Sequence, residues 1–205
     1  MHDGEYIMGL GRLDEFKTFS WFTEVRDYVE LRYEALVNRY KNTFNYVTPH
    51  KENSYTYSYE YASILRDSAS AFDSTLKCFI RKGELEYDDR IHGMLDFLRK
   101  YEPQLEYIHL RFLHYGGFLY PFKPEKNGLP CWWNAYNDIK HDEIVNISQG
   151  NFRNALLSLS ALGVLKYSIG RSDELGIFTM VGYSFSKQET KYHTDFFEYI
   201  QFYPK

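Results

Sequence analysis

The sequence contains little cysteine. Its 205 residues include two cysteines, Cys78 and Cys131, which are too few for a disulfide framework. No set of cysteines and histidines has the spacing of a zinc site. We expect both residues to be buried free thiols in a reducing compartment. A glycine-rich phosphate loop and a Ser/His/Asp set are also missing, so we expect no bound metal and no cofactor.

Long apolar runs are missing as well. No apolar stretch of the sequence approaches the roughly 20 residues of a transmembrane helix. The first residues lack the basic segment followed by an apolar run that marks a secretory signal. The sequence therefore predicts a cytoplasmic protein with no membrane partner.

Positive charge is not in excess. The formal net charge is −4, whereas a protein that binds nucleic acid over its whole surface needs a basic surface. The charge balance therefore excludes bulk electrostatic binding to nucleic acid. It leaves room for a local basic patch.

Apolar residues recur at helical spacing along most of the chain, whose length suits a single domain over 1–205. Four helices are predicted in this way, over 14–47, from about 57 to Lys82, over 88–100, and from Ser148 or Asn151 to near Gly170. The first would begin at an N-cap Asp14 and end before Pro49, because a residue before proline is pushed out of the α region. The last is apolar enough to be a core helix.

Two other regions alternate with the period of a strand. Residues 107–113 and 118–122 alternate on either side of Gly116-Gly117, which predicts a small β-hairpin inserted between helices. Residues 171–205 are predicted to form a partly extended C-terminal appendage. Both an added hairpin and an aromatic docking tail fit that appendage.

Aromatic residues are abundant, with 20 tyrosines and 16 phenylalanines. Such a load indicates either a core with many paired tyrosine hydroxyls or an aromatic interface. Together with the long first helix, it leads us to expect self-association, with a homodimer as the predicted state.

One short segment has an unusual combination of faces. Cys131-Trp-Trp-Asn-Ala-Tyr-Asn-Asp-Ile-Lys-His-Asp142 predicts an amphipathic helix. Its apolar stripe consists of Trp132, Tyr136 and Ile139. Its other face consists of Asn134, Asn137, Asp138 and His141. A surface helix needs charge more than amides, and a core helix needs neither. The segment is therefore the best candidate for a functional site in this sequence.

The pattern Trp-Trp-x-x-Tyr-Asn-x-x-Lys-His, followed by a helix rich in leucine and alanine, resembles the signature helix of HEPN-type domains. The resemblance covers roughly residues 55–168. It implies a HEPN-like up-and-down helical bundle, of a kind found in many prokaryotic defence, toxin and stress proteins. Active members of that family dimerise and cleave RNA without a metal. They pair an arginine with a histidine four to six residues later, often with asparagine directly after the arginine.

The motif of this chain departs from that pattern at one position. Asn137 matches the asparagine and His141 matches the histidine, but Tyr136 occupies the place of the arginine. The longer spacings offer Ala135 and Asn134, neither of which is an arginine. The resemblance therefore implies a degenerate catalytic motif.

The chemistry of RNA cleavage nevertheless singles out three residues as candidate catalytic groups. His141 can act as acid or base near neutral pH, and Asn137 lies one turn before it. Lys140 can supply a cation, although it has a different helical angle and lacks the bidentate geometry of a guanidinium. Arg66, Arg153 or an arginine of a partner chain are alternatives. Asn137 and His141 can equally serve to cap or bridge a neighbouring helix.

Three functions follow from these considerations. The first is a HEPN-like protein of defence or stress type that has lost catalysis and acts as an RNA-associated or regulatory dimer. The second is an active metal-independent endoribonuclease that uses His141. The third is a protein-interaction module with an unknown protein partner and no role on RNA. The sequence leaves open whether the protein is an enzyme.

Overall fold

The computed structural model describes residues 13–103, 105–112 and 115–170, together with three short strands beyond them. The helices are α1 (Trp21–Asn42), α2 (Tyr59–Lys82), α3 (Ile91–Tyr101), α4 (Cys131–His141), α5 (Glu143–Asn146) and α6 (Phe152–Gly170). The strands are β1 (His109–Phe112), β2 (Gly117–Leu119), β3 (Thr179–Val181), β4 (His193–Thr194) and β5 (Phe197–Glu198). The prediction of a mainly helical chain with a small antiparallel hairpin is confirmed.

The helix α6 lies at the centre of the bundle and packs against α1, α2 and α4. It is apolar on nearly all sides, as a helix surrounded by other helices must be, and almost every residue from Phe152 to Ile169 is buried. Two contacts bring its neighbours close. Gly163 faces the ring of Tyr33 on α1, where an added Cβ would lie 3.0 Å from the ring. Ser158 and Ser68 on α2 share a hydrogen bond of 2.6 Å.

The predicted helix over 14–47 is wrong at both ends. The α-helix runs from Trp21 to Asn42, with 3-10 helices at Leu13–Phe16 and Thr43–Asn45 on either side. The first three phenylalanines of the predicted stripe recur at intervals of three, which suits a 3-10 helix as well as an α-helix. At the other end, the Thr43 hydroxyl donates to the Tyr40 carbonyl at 2.7 Å, a local bond that competes with helix continuation.

The hairpin consists of β1 and β2, paired with Leu110 opposite Leu119. The strand β3 pairs with the other edge of β1, so the sheet has the order β2-β1-β3. The C-terminal appendage thus contributes one strand to this sheet, and β4 and β5 pair with each other. The rest of the predicted tail lies outside the described residues. Across the described part of the chain, no helix is both long and apolar enough to cross a membrane.

Candidate functional site

The two faces of α4 lie as their sequence spacing predicts. Trp132, Tyr136 and Ile139 are buried, with exposed fractions of 0%, 8% and 1%. On the opposite side, Asn137 is half-buried and His141 is exposed. The aromatic stripe therefore belongs to the core, and the amide and imidazole side chains face outward.

Contacts at both ends fix α4 in the bundle. Near its start, the ring of Trp132 packs edge-on against Phe72 of α2, with ring centroids 5.4 Å apart. The indole N–H of Trp132 donates to the Pro121 carbonyl at 2.6 Å. Beyond its end, the Asn146 amide donates to the carbonyls of Asp138 and Asp142 at 3.0 Å each. The two Trp132 contacts set the rotation of α4 about its axis and thus the direction of its outer face, whereas the Asn146 bonds tie its C-terminal end to α5.

An open groove of about 290 Å³ lies between α4, the second half of α2 and the turn before α3. Its lining residues are Asp73, Lys77 and Arg81 of α2, Asp89, Arg90 and Ile91 around the start of α3, and Trp133, Tyr136, Asn137 and Lys140 of α4. Four of these side chains are cationic and two are carboxylates. The groove is therefore a local basic site on a chain whose formal net charge is −4.

Ion pairs organise the α2 side of the groove. The Lys77 ammonium lies 2.7 Å from a carboxylate oxygen of Asp73, one turn earlier on the same helix. Arg81 donates from Nε to Asp89 at 2.8 Å and also from Nη2 to the same oxygen. The Arg81 hydrogen bond holds the pKa of the Asp89 carboxyl below its usual value, and the nearby charges of Lys77 and Arg90 add to this effect. Asp89 is thus an ionised partner that orients Arg81.

The α4 side of the groove is organised differently. Within the described residues, Lys140 has no carboxylate within 4 Å; its ammonium lies over the ring of Tyr136, 5.4 Å from the centroid. The Tyr136 ring packs in turn against Trp133, with centroids 5.3 Å apart. Such a contact between a cation and a ring contributes about 0.5–1 kcal/mol at an exposed site. Lys140 is thus positioned by an aromatic surface and keeps all its N–H donors available.

The structure brings together two of the three predicted site residues. Asn137 and Lys140 both line the groove. His141 is exposed in the last turn of α4 and is not among the lining residues. Its imidazole has no hydrogen bond or ion pair to any described residue. The catalytic assignment of these three residues remains a prediction.

The two arginines considered as substitute cations are both engaged elsewhere. Arg66 of α2 forms an ion pair of 2.7 Å with Glu143, two residues after His141. Arg153 donates to the Cys131 sulfur at 3.4 Å and to Glu125 at 3.3 Å. Burial raises the pKa of the Cys131 thiol, and the nearby Arg153 charge opposes that change. Both cysteines are free, but they are half-buried and not fully buried as expected.

The cations on α2 and the turn before α3 were missed by the sequence reasoning. Lys77 and Arg81 follow Asp73 at intervals of four, a pattern that is typical of a solvated helix face with internal ion pairs. Arg90 stands in a charged turn. They lie some fifty residues before α4 in the sequence, and only the packing of α2 on α4 brings them to one groove.

Comparisons of the chain with protein-family models, with curated proteins and with solved structures find no match. The geometry of the groove and the chemistry of its side chains are therefore the basis for a functional proposal.

The burial of Trp132 leads to a prediction about stability. Trp132→Ala removes a fully buried ring and leaves the Pro121 carbonyl without its donor, so it should lower the free energy of unfolding by about 3–5 kcal/mol. Tyr46→Ala is the control, because that side chain is 89% exposed and its loss should change stability little. Urea unfolding followed by circular dichroism measures both. An unchanged midpoint for Trp132→Ala would contradict the burial of this face.

Proposed function

We propose that this protein is a HEPN-like helical protein of defence or stress type that associates with RNA as a dimer and does not cleave it. The observation that carries the proposal is the basic groove, because it contains Asn137, which matches the asparagine of the HEPN motif, and Lys140, the candidate substitute cation. RNA is held largely through its phosphates, and lysine and arginine are the side chains that hold them.

The location of the cations supports an RNA role in spite of the acidic chain. A local cluster dominates the potential at short range, since charges more than about 8 Å apart are largely screened at physiological ionic strength. Lys140 contributes an ammonium with no carboxylate partner among the described residues, so binding a phosphate there breaks no ion pair. The aromatic side chains of Trp133 and Tyr136 beneath it add polar edges suited to a ribose or a base.

Two observations support a loss of catalysis. Tyr136 stands where the family places arginine, and its side chain is 8% exposed and packed in the core. Arg66 and Arg153, which the sequence offers as alternative cations, each form an ion pair with a carboxylate. Neither of these two arginines is a free cation for His141, so the endoribonuclease alternative calls for another arginine, such as one from a partner chain.

The dimer in this proposal is supported by exposed apolar residues next to the motif. Ile144 and Val145 of α5 are 92% and 73% exposed, and they follow His141 by three and four residues. Adjacent exposed apolar side chains of this kind are a candidate contact surface for a second copy. A second copy covering α5 would bring the two His141 side chains near each other.

The groove predicts a salt-dependent affinity for RNA. Lys140→Glu should weaken binding of a single-stranded RNA by about tenfold or more and should lower the slope of log affinity against log salt by about one. Lys51→Glu makes the same charge change on an exposed residue outside the groove and should leave both quantities nearly unchanged. Fluorescence anisotropy at several salt concentrations measures them. Equal effects of the two substitutions would contradict binding in the groove.

The degenerate motif predicts little or no cleavage. Losing one fixed cation from a transition-state site commonly costs roughly 10² to 10³ in rate, so the protein should cleave single-stranded RNA weakly or not at all. His141→Ala should then have no further effect on cleavage. A side-by-side assay of both proteins, each first shown to be folded, measures this. Robust cleavage that disappears in His141→Ala would establish the endoribonuclease alternative.

The exposed face of α5 predicts the contact that holds the dimer. The protein should be a dimer by light scattering at tens of micromolar, a range that detects micromolar affinities, and Ile144→Glu should shift it to the monomer. Leu31→Glu is the matched control, since Leu31 is 68% exposed on α1. A monomeric wild-type protein would refute the dimer, and a loss of dimer in Leu31→Glu alone would place the interface on α1.

A further inference from the structure

We propose that the basic groove is a site for a phosphate monoester at the end of an RNA strand, so that the protein recognises phosphorylated RNA ends and not internal phosphodiesters. This inference deepens the RNA association proposed above and rests on it.

One wall of the groove presents hydrogen-bond donors that have no protein acceptor. Trp133, Tyr136, Asn137 and Lys140 follow one another at i, i+3, i+4 and i+7 on α4, so they share one face. None of these four side chains donates a hydrogen bond to another described residue. The indole and the ammonium are donors only. This wall therefore calls for a ligand that is rich in acceptors.

The donors of the two aromatic residues are accessible although their rings are buried. Among the described residues, Arg32 Nε is the one side-chain nitrogen or oxygen that is fully buried without a partner. The indole N–H of Trp133 and the hydroxyl of Tyr136 also have no hydrogen-bond partner within the described part of the chain. Because neither atom is fully buried, each meets solvent, and both residues line the groove. Water satisfies these donors when the groove is free, and a ligand oxygen can replace it.

The other wall adds cations whose orientation is fixed. Arg81 uses Nε and Nη2 for Asp89, and its Nη1 has no acceptor within the described residues. Lys77 is held by Asp73 and has three donors in total. The carboxylates thus fix the positions of these cations without consuming all their N–H groups. A ligand in the groove can therefore accept hydrogen bonds from both walls.

The charge and the size of the groove favour a monoester. Four cations and two carboxylates line the groove, and one of the cations, Arg90, also pairs with Asp88 at 3.3 Å. Together the cations can meet the −1.5 to −2 charge that a phosphate monoester carries near neutral pH. A phosphodiester carries one negative charge and two non-bridging oxygens, whereas a monoester offers three acceptor oxygens. The volume of about 290 Å³ lies at the lower limit of sites for small ligands, which suits one terminal group.

The test compares RNA oligonucleotides of one sequence that differ only at their ends. Each carries a 5′-phosphate, a 3′-phosphate or hydroxyls at both ends, and binding to the full chain is followed by fluorescence anisotropy. We expect one of the phosphorylated oligonucleotides to bind about tenfold or more tightly than the hydroxyl form, which is the size of one or two charge-assisted hydrogen bonds. Inorganic phosphate should compete with it, whereas chloride at matched ionic strength should not.

Variants connect this preference to the groove. Lys140→Gln should remove most of the preference for the phosphorylated end, and its fold should be retained because Lys140 forms no ion pair with a described residue. Lys51→Gln should keep the preference. Arg81→Gln provides a second measurement on the opposite wall and should reduce the preference as well.

Equal binding of the three oligonucleotides would overturn the end-recognition proposal and leave RNA association standing. Absence of binding to all three would overturn both. A preference for a phosphorylated end that persists in Lys140→Gln and Arg81→Gln would place end recognition outside the groove and so refute this inference.

Discussion

The insertion of Trp132 between α2 and the segment before α4 is the contact on which the candidate site depends. Its ring is fully buried against Phe72, and its N–H is fixed by the Pro121 carbonyl. A helix held by a single buried residue can still roll, but one held by both a ring contact and a directional hydrogen bond cannot. With the rotation of α4 set in this way, Tyr136, Asn137 and Lys140, which lie one to two turns later, face the groove. The same contact therefore contributes to the core and orients the residues of the candidate site.

The charges of the groove illustrate why net charge is a poor guide to local function. The chain is acidic overall, yet the packing of α2 on α4 collects four cations around one small cavity. Asp73 and Asp89 offset part of this positive charge, and they also hold Lys77 and Arg81 in place. An ion pair near the surface contributes little to stability, whether it is exposed, as Arg81–Asp89 is, or partly buried, as Lys77–Asp73 is. Its main effect is to order long side chains that would otherwise sample many rotamers.

The sequence was sufficient for those features that depend on local periodicity. The two faces of α4, the apolar character of α6 and the hairpin around Gly116-Gly117 all follow from spacing along the chain. The start of α1 could not be predicted from spacing, because phenylalanines at intervals of three fit both a 3-10 and an α-helix. The α2 side of the groove could not be predicted from the sequence either. Lys77 and Arg81 have the spacing of an ordinary solvated helix face, and only tertiary packing places them opposite Asn137 and Lys140.

Tyr136 links these considerations to the proposed loss of catalysis. A guanidinium at this position would have to be buried in the contact that Tyr136 makes with Trp133, where an unpaired charge is costly. The tyrosine removes that cost, and the cation of this face is instead Lys140, one turn later and in contact with solvent above the ring. An ammonium there attracts a phosphate as a point charge, but it lacks the planar fork that aligns a phosphate in a defined orientation. Attraction without alignment favours binding over chemistry, so a tyrosine that suits the core at this position agrees with the proposed association with RNA without cleavage.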